Sequence, residues 1–374
     1  MIYFDNAATT KVKPQCVYDA VVDYMKNIGV SPSRGSYSIG ISASRKLYKT
    51  RCTLGEYFGA KEKEKVIFTK NSTEAINAFL MGSLSKGDHV IITCYEHNAV
   101  LRPIHYLKEQ GIIDYSVICR DDLLLRGEDI YKKYAKANTK LLVMTLASNL
   151  TGRIVFNSDV CKYFKSKGVK TFVDASQGAG YYSINMQNDG ISYLAFTGHK
   201  DLLSAPGVGG LCCNDDICFK PFIQGGTGIH GDQYVNPNIF PEGYEAGTLN
   251  MPAIWSLKTS IDYLCAHKAE ICTNEKKLIE YLLEKLDLLK NVKIYDRDKE
   301  RTPVCCFNVF GYSSDYVVRY LDSKGVCVRG GIHCAILAHE ALSTVNEGAI
   351  RVSLSIGNTN EEIDKFVEIL KGIQ

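Results

Sequence analysis

Short apolar runs alternate with more polar segments over more than half of the chain, and this alternation restricts the fold more than any other feature. Each apolar run has about four to six residues, the length of a strand, and most are followed by a stretch that we interpret as a helix. Strands covered on both faces form continuous apolar runs in mostly parallel sheets. The sequence therefore predicts an α/β fold with a mostly parallel seven-stranded sheet, with strands at residues 66–69, 90–93, 115–118, 141–146, 169–173, 191–196 and 207–212.

Polar and ionisable residues follow these predicted strands at their carboxyl ends. In sheets of this kind, ligands bind at that edge. We therefore expect one shared site, formed by Ser72, Thr73, Glu96, His97, Asn149, Asp174, Gln177, His199 and Lys200.

The composition shifts after Pro252, which predicts a second, smaller α+β domain. We expect an N-terminal arm at residues 1–15 that packs with the small domain, a large α/β domain at 16–250 and the small C-terminal domain at 251–374. The small domain would start with a long helical region to about Leu289, broken near 266–270. Strands at 304–309, 326–328 and 350–354 would follow, with helices at 314–323 and 361–370.

Charge and composition argue against several kinds of partner. The net charge of +3 is too small to indicate binding to nucleic acid or to an anionic membrane. No apolar stretch reaches the ~18 residues that span a bilayer, and the first residues lack the pattern of a signal peptide. We therefore expect a cytoplasmic protein.

The chain has fourteen cysteines, but none of them are paired at C-x-x-C spacing. We interpret most as buried free thiols and expect no metal site. Cys212, Cys213, Cys305 and Cys306 lie in apolar runs that predict core positions.

The stretch Phe196-Thr197-Gly198-His199-Lys200 ends a predicted strand in a lysine. Burial and neighbouring positive charge lower a lysine pKa, and the free amine then forms a Schiff base with a carbonyl. Pyridoxal phosphate (PLP) is the common carbonyl cofactor that needs such a lysine. The alternative is a surface lysine in a loop, and the pentapeptide alone leaves both interpretations open.

Three other strand ends could complete a cofactor site, and each has a simpler alternative. Ser72 and Thr73 open a helix, where backbone amides bind phosphate or a hydroxyl only caps the helix. Asp174 could keep a pyridine nitrogen protonated, or cap the next helix. His97 could stack on a flat ring and transfer protons, or lie in a surface turn.

Together and in this order, the motifs resemble the PLP-dependent class V aminotransferase family, and within it the group II cysteine desulfurases and selenocysteine lyases. The resemblance covers nearly the whole chain and implies a PLP-dependent transferase fold of type I. The segments that carry it are residues 4–10, 71–75, 96–98, 148–149, 174–177, 197–200, 245–248, 329–335 and 351–353.

The resemblance also implies roles for individual residues. Lys200 would bind PLP covalently, His97 would stack on the ring, and Asp174 would pair with its pyridine nitrogen. Gln177 would approach the ring hydroxyl. Thr248 would reach the phosphate of the other subunit's cofactor, which implies a homodimer. The other cofactor contacts would come from Ser72, Thr73, Asn149, Thr197 and His199. The substrate carboxylate would be held by Asn149 and Arg351, with Arg329 and Arg34 also in the site.

Cys334 would perform the sulfur chemistry. In this family a cysteine thiolate takes sulfur from the substrate, which leaves a persulfide on the enzyme and releases alanine. Arg329 and His333 flank Cys334, and positive charge lowers a thiol pKa. Without the surrounding motif, one more buried thiol would be the simpler interpretation. Gly330 and Ile332 stand where group II enzymes commonly have Thr and His, so the preferred substrate and sulfur acceptor stay open.

These inferences predict a PLP-dependent cysteine desulfurase that converts L-cysteine to L-alanine, with Lys200, Cys334 and His97 as catalytic residues. We expect sulfur to pass to an acceptor protein, as in iron–sulfur cluster supply. The alternatives are a selenocysteine lyase, a cysteine-sulfinate desulfinase, or another class V aminotransferase or epimerase. A nucleotide-binding module would need the glycines at 207–210 or 225–228, and neither segment fits the G-x-G-x-x-G pattern.

Overall fold

The computed structural model describes residues 1–32, 37–217 and 219–373 of the 374-residue chain. The strands are β1 (Ile2–Tyr3), β2 (Val66–Thr69), β3 (Asp88–Thr93), β4 (Ile113–Ile118), β5 (Thr139–Thr145), β6 (Lys170–Asp174), β7 (Tyr193–Thr197), β8 (Gly209–Cys213), β9 (Val292–Ile294), β10 (Val304–Val309), β11 (Val326–Cys327), β12 (Arg329–Gly331) and β13 (Ala349–Ser353). The α-helices are α1 (Gln15–Asp23), α2 (Ser38–Tyr57), α3 (Ser72–Ser83), α4 (Asn98–Glu109), α5 (Gly127–Tyr134), α6 (Ser158–Ser166), α7 (Met251–Asp287), α8 (Ser314–Ser323), α9 (Ile336–Leu342) and α10 (Asn360–Lys371).

The central sheet has seven strands in the order β2-β8-β7-β6-β5-β3-β4. β8 is antiparallel to both of its neighbours, and the other pairs are parallel. The predicted fold, a mostly parallel seven-stranded sheet, is therefore confirmed. Cys212 and Cys213 in β8 are buried, as their apolar run predicts.

Successive side chains of each central strand enter two different cores. In β5, Leu142 and Met144 belong to the apolar cluster on one face of the sheet, and Leu141 and Val143 belong to the cluster on the other. This alternation follows from the two-residue period of a strand. Helices cover both faces, so the carboxyl ends of the parallel strands form an edge where polar side chains meet.

A second sheet, in the order β12-β13-β10-β9, is antiparallel throughout and has its own apolar cluster. The N-terminal arm joins this part of the molecule. β1 pairs in parallel with β11, and the Phe4 ring lies 5.6 Å from the Phe366 ring, edge to face. These contacts bring the arm close to C-terminal elements. The predicted division into an arm and two domains stays a prediction.

Helix α7 corrects one expectation from the sequence. The predicted break near residues 266–270 is wrong, because one helix runs from Met251 to Asp287 without interruption. Its first half packs into the core of the large sheet and its second half into that of the small sheet. The segment between these cores is mostly exposed and therefore polar, yet Ala266, Lys268 and Ala269 are good helix formers. No helix within the described residues is long and apolar enough to cross a membrane.

Candidate active site

A polar pocket lies at the carboxyl edge of the central sheet. It has a volume of about 230 Å³ and is lined by every predicted cofactor-binding residue except Thr248. Four further residues that the sequence did not assign to the cofactor site also line it. The lining residues are Asn71, Ser72, Thr73, His97, Thr145, Ala147, Asn149, Asp174, Ser176, Gln177, Thr197, His199 and Lys200.

Lys200 reaches this pocket from a tight turn that follows β7. The Gly198 N–H donates to the Val208 carbonyl at 2.9 Å, and a Cβ at Gly198 would lie only 2.9 Å from Cγ1 of Val208. The glycine is therefore needed for this close approach. Burial lowers the pKa of the Lys200 amine, Asp174 opposes that shift, and Arg351 and Arg329 add to it. The arrangement favours a neutral, nucleophilic amine.

Asp174 ends β6 beside a second, uncharged carboxyl group. Its Oδ1 accepts from the Ser176 N–H at 2.9 Å and from the Ser176 hydroxyl. Glu96 is fully buried nearby, and its Oε1 accepts from the Thr93 hydroxyl at 2.6 Å and the Thr145 N–H at 2.8 Å. Burial raises the pKa of Glu96 to about 8, with Asp174 adding to the effect. At neutral pH, Glu96 is therefore mostly protonated and adds little negative charge beside Asp174.

His97 lies at the N-terminus of α4 as an uncharged ring. Its Nδ1 accepts from the Ala99 N–H at 3.0 Å, so the single proton of the neutral ring is on Nε2. Burial lowers the pKa of His97 to about 4, with Asp174 opposing the shift. The ring can thus offer an aromatic face without positive charge.

The N-terminus of α3 is capped by Asn71, not by the two hydroxyl residues that follow. The Asn71 side chain accepts from the Glu74 N–H at 3.0 Å. The alternative in which Ser72 or Thr73 serves only as the cap is therefore not what the structure shows. Both residues instead line the pocket at a helix N-terminus, where free amides favour an anion.

The pocket has buried polar atoms that lack partners, and these test whether a cofactor fits. Among the described residues, Thr197 Oγ1 and Asn149 Oδ1 are buried without a hydrogen bond. Such atoms are costly unless a ligand or water completes them. Together with the nucleophilic lysine, the Asp174 carboxylate and the α3 terminus, they fit a group with a carbonyl, a basic ring nitrogen and a phosphate. PLP has all three.

Gln177 and His199 tie the N-terminal arm to the pocket. The Gln177 side-chain amide donates to the Ala7 carbonyl at 2.8 Å. The His199 carbonyl accepts from the Thr10 N–H and from the Thr10 hydroxyl, each at 3.1 Å. Burial lowers the pKa of His199 to about 4, so its ring is also neutral at pH 7.

Cys334 follows β12 on a short loop that is fastened to the pocket. Its carbonyl accepts from the Asn98 N–H at 2.8 Å, and the preceding His333 carbonyl accepts from the Asn149 side-chain amide at 2.7 Å. His333 and Cys334 have φ values of 54° and 56°, which are rare for residues with a side chain. Cys334 is partly exposed and does not line the 230 Å³ pocket. The residue before it, His333, is bonded to Asn149, which does line the pocket.

His333 corrects another expectation, because it cannot supply positive charge to Cys334. Its Nε2 donates to the Arg329 carbonyl at 3.2 Å. Burial, and then Arg351, lower the pKa of His333 to about 3, so the ring is neutral at pH 7. Of the two flanking residues, only Arg329 is left as a source of positive charge.

Arg351 is almost fully buried and already has two partners. Its Nη1 donates to the Asn149 carbonyl at 2.8 Å, and its Nη2 pairs with Asp5 Oδ1 at 2.6 Å. No role was predicted for Asp5 from the sequence. Arg329 also lies near the pocket, because its positive charge lowers the pKa of Lys200 and of His333. Arg34, the fourth predicted substrate residue, lies outside the described residues.

Thr248 does not reach the pocket of its own chain. It lines a separate cavity of about 580 Å³, next to Gly247 and Asn250. The segment that carries it is anchored by Glu245, whose carboxylate pairs with Arg51 and accepts from the Phe68 N–H at 2.6 Å. Any contact between Thr248 and a cofactor would therefore need a second subunit.

Comparison with known proteins agrees with this geometry. The sequence model of the family described as Aminotransferase class-V matches residues 2–366. A probable cysteine desulfurase from Methanothermobacter thermautotrophicus is 32% identical, over all of this chain and 94% of its own length. A cysteine desulfurase from Serratia proteamaculans is 29% identical, over all of this chain and 93% of its own.

Solved structures lead to the same group of proteins. The apo structure of a cysteine desulfurase from Thermococcus onnurineus NA1 superposes with a TM-score of 0.89 at 30% identity, and covers 99% of this chain and 94% of its own. A cysteine desulfurase from Escherichia coli has a TM-score of 0.86 at 22% identity, with 99% and 93% covered, and at that identity it supports the fold alone.

Proposed function

Because the chain belongs to the aminotransferase class-V family, we propose that it is a PLP-dependent cysteine desulfurase. It would convert L-cysteine to L-alanine and retain the sulfur as a persulfide on Cys334. One observation carries this proposal: Asn149 lines the pocket of Lys200 and also bonds the backbone next to Cys334. The segment that carries the thiol of Cys334 is thereby linked through Asn149 to the pocket of the nucleophilic amine.

PLP, on which this family depends, would supply an electron sink that stabilises negative charge on the substrate carbons. Lys200 would hold it covalently, Asp174 would keep its ring nitrogen protonated, and the neutral His97 would cover its face. Gln177 would approach the ring hydroxyl and Asn149 would border the ring. The phosphate would be bound by Ser72, Thr73, Thr197 and His199.

Lys200 would then move protons at the substrate. Its lowered pKa favours the free amine, which can accept a proton from the α-carbon and return one to the β-carbon. Arg351 and Asn149 would orient the α-carboxylate so that the carbon–sulfur bond faces Cys334, with Arg329 as a nearby positive charge. Arg34 is proposed for the substrate site from the sequence resemblance alone.

Cys334 would take the sulfur as a thiolate. Its sulfur attacks the substrate sulfur, a sulfur–sulfur bond forms, and the carbon–sulfur bond breaks. The electron pair of the broken bond stays on the substrate carbons. The β-carbon takes a proton, the α-carbon regains the proton that it lost, and alanine leaves. The fixed backbone of the Cys334 loop would favour a short and reproducible approach.

A homodimer is part of the proposal, because Thr248 lines a cavity that is separate from the pocket of its own chain. The same segment exposes apolar side chains that a second subunit would cover, at Phe222, Ile223, Tyr234, Val235 and Ile239. We also propose that the persulfide sulfur passes to an acceptor protein that supplies iron–sulfur clusters. The free thiols of the described residues fit a reducing compartment such as the cytoplasm.

The test is alanine formation by the purified protein with PLP and L-cysteine. Lys200→Ala should abolish covalent binding of PLP, seen as loss of a borohydride-reducible adduct, and should abolish alanine formation. Cys334→Ala should abolish sulfur release from L-cysteine. Cys327→Ala is the matched control, because Cys327 is also partly exposed and lies near Arg329 in the sequence.

The same variants separate the remaining alternatives. A selenocysteine lyase or a cysteine-sulfinate desulfinase would keep its activity on L-selenocysteine or L-cysteine sulfinate after Cys334→Ala. An aminotransferase or epimerase would convert amino acids without releasing sulfide. No alanine from L-cysteine, in a protein that binds PLP through Lys200, would contradict the proposed function.

A further inference from the structure

Two arginines lie directly opposite each other at the substrate end of the site. Arg329 in β12 is the register partner of Arg351 in β13, so both side chains leave the same face of the sheet. Arg351 is only 1% exposed. Burial lowers the pKa of its guanidinium, and Arg329 adds to the shift. Like charges this close, with one of them buried, need a nearby anion.

Asp5 provides that anion from the N-terminal arm. Its Oδ1 lies 2.6 Å from Nη2 of Arg351. The backbone on either side of Asp5 is bonded to Ser353: the Ser353 N–H donates to the Phe4 carbonyl at 2.8 Å, and the Ala7 N–H donates to the Ser353 hydroxyl oxygen at 2.8 Å. Asp5 is thus held beside Arg351 by the fold, and a substrate does not have to displace it.

One buried nitrogen of the guanidinium has no partner in the part of the chain that the structure describes and is left for a ligand. Nη1 is bonded to the Asn149 carbonyl and Nη2 to Asp5, whereas Nε is buried with no partner among the described residues. A buried donor of this kind is costly unless an acceptor completes it. Asp5 and Asn149 therefore fix the plane of the guanidinium with its Nε–H left for a carboxylate.

Among the described residues at this end of the site, the formal charges of two arginines and one aspartate add up to one positive charge. Arg351 and Arg329 contribute +2 and Asp5 contributes −1, which gives +1. We propose that Asp5 is a specificity-determining residue, which fixes the Arg351 guanidinium and limits the local charge so that the site favours an amino acid with one anionic group over one with two. The proposal rests on the proposed function, because that assigns Arg351 to the substrate carboxylate.

The consequence concerns one of the competing substrates. L-cysteine brings its α-carboxylate and a largely protonated thiol, whereas L-cysteine sulfinate brings a second, fully ionised group. The α-carboxylate would already neutralise the single positive charge of the arginines and Asp5. The sulfinate would then find no positive charge to balance it and would be repelled by Asp5. In a partly buried site this repulsion is worth on the order of ten-fold in binding or more.

The test measures alanine, the shared product, from both substrates. Asp5→Asn keeps an oxygen that can accept from Nη2 but removes the charge. It should raise the kcat/KM ratio of sulfinate to cysteine by about ten-fold or more, mainly through KM. Asp5→Glu should keep the wild-type ratio. Asp19→Asn, at an exposed position in α1, is the matched control and should change nothing.

Calorimetric binding of L-alanine and L-aspartate to the PLP-loaded protein provides a readout without turnover. Asp5→Asn should strengthen the binding of L-aspartate relative to the binding of L-alanine by about ten-fold. This comparison still tests Asp5 if the protein forms no alanine from L-cysteine, so the two proposals can fail separately. The assignment of Asp5 would be overturned if a folded Asp5→Asn protein kept the wild-type ratio of affinities for L-aspartate and L-alanine. An equal loss of affinity for both ligands would overturn it as well.

Discussion

The three histidines around the pocket are uncharged at neutral pH because each is buried. Burial lowers the pKa of His97 and His199 to about 4 and that of His333 to about 3. The residue types and their order along the chain were enough to predict the pocket at the strand ends. The charge of His333 and the ion pair of Asp5 depend on burial and on contacts between distant segments, which spacing does not reveal.

The cysteines are expected to differ in the same way, with the persulfide confined to Cys334. Burial raises the pKa of Cys94, Cys161 and Cys212 to about 12, which suppresses their thiolates. After brief exposure to L-cysteine and alkylation without reductant, mass spectrometry should find the extra sulfur on the Cys334 peptide. Sulfur on another cysteine peptide, or wild-type sulfide release by Cys334→Ser, would contradict this.

Glu96 should make the protein less stable as the pH rises from 5 to 8. In the unfolded chain a glutamate loses its proton near pH ~4.3, whereas burial keeps Glu96 protonated up to a pKa of about 8. The folded state therefore binds more protons across this range, and the free energy of unfolding falls with pH. Glu96→Gln, which mimics the neutral form, should gain about 1–3 kcal/mol over wild type between pH 5 and pH 8.

Chemical denaturation at the two pH values measures this difference. Glu270→Gln, at an exposed position of α7, serves as the control and should show no such gain. A Glu96→Gln protein that follows the wild-type pH dependence would show that Glu96 is ionised in the folded state.

At the scale of elements, strands formed by a continuous apolar run of four to six residues were predictable. Shorter strands and exposed segments were not. The strands of the central sheet have continuous apolar runs, and this sequence signal can be recognised without knowing the neighbouring strands. β9 and β12 have only three residues each and depend on their neighbours in the sheet, so their sequences carry little signal. In α7, the polar residues of the exposed middle were interpreted as a break in the helix. A helix that packs against two separate cores has no apolar stripe between them, so its sequence resembles a break.

The continuity of α7 predicts a strong response to proline at its exposed middle. Ala269→Pro should lower the free energy of unfolding by about 3 kcal/mol or more, because proline removes a backbone hydrogen bond and clashes with the preceding turn. Ala269→Gly at the same site should cost only about 1 kcal/mol. Equal stabilities of the proline variant and wild type, in chemical denaturation, would mean that the helix is broken there.

At the scale of the whole molecule, we expect the proposed dimer to form through the exposed apolar segment that precedes α7. Tyr234 is fully exposed and Val235 is 71% exposed, although both are apolar. Apolar exposure of this kind marks an interaction surface when it is contiguous. The proposed cross-subunit role of Thr248 depends on the same surface.

Sedimentation should therefore find a dimer that is weakened by charge at this surface. The double change Tyr234→Asp with Val235→Asp should increase the dimer dissociation constant by at least about ten-fold, since it would bury two carboxylates. It should also weaken PLP binding if Thr248 acts across the interface. Leu124→Asp, at another site that is 71% exposed, is the control. A wild-type protein that is active as a monomer would contradict the dimer.

The N-terminal arm sets an order in which the site can be made. The Asn6 side chain donates a hydrogen bond to Ser353, a residue 347 positions later. Asp5 pairs with Arg351 over a similar separation in the sequence. During translation the arm leaves the ribosome long before its partners in β13 are synthesised. The central sheet can form around the pocket while the chain is still growing, whereas the carboxylate-binding end stays incomplete until β13 has emerged. A nascent chain is therefore kept from acting on amino acids before β13 has been synthesised.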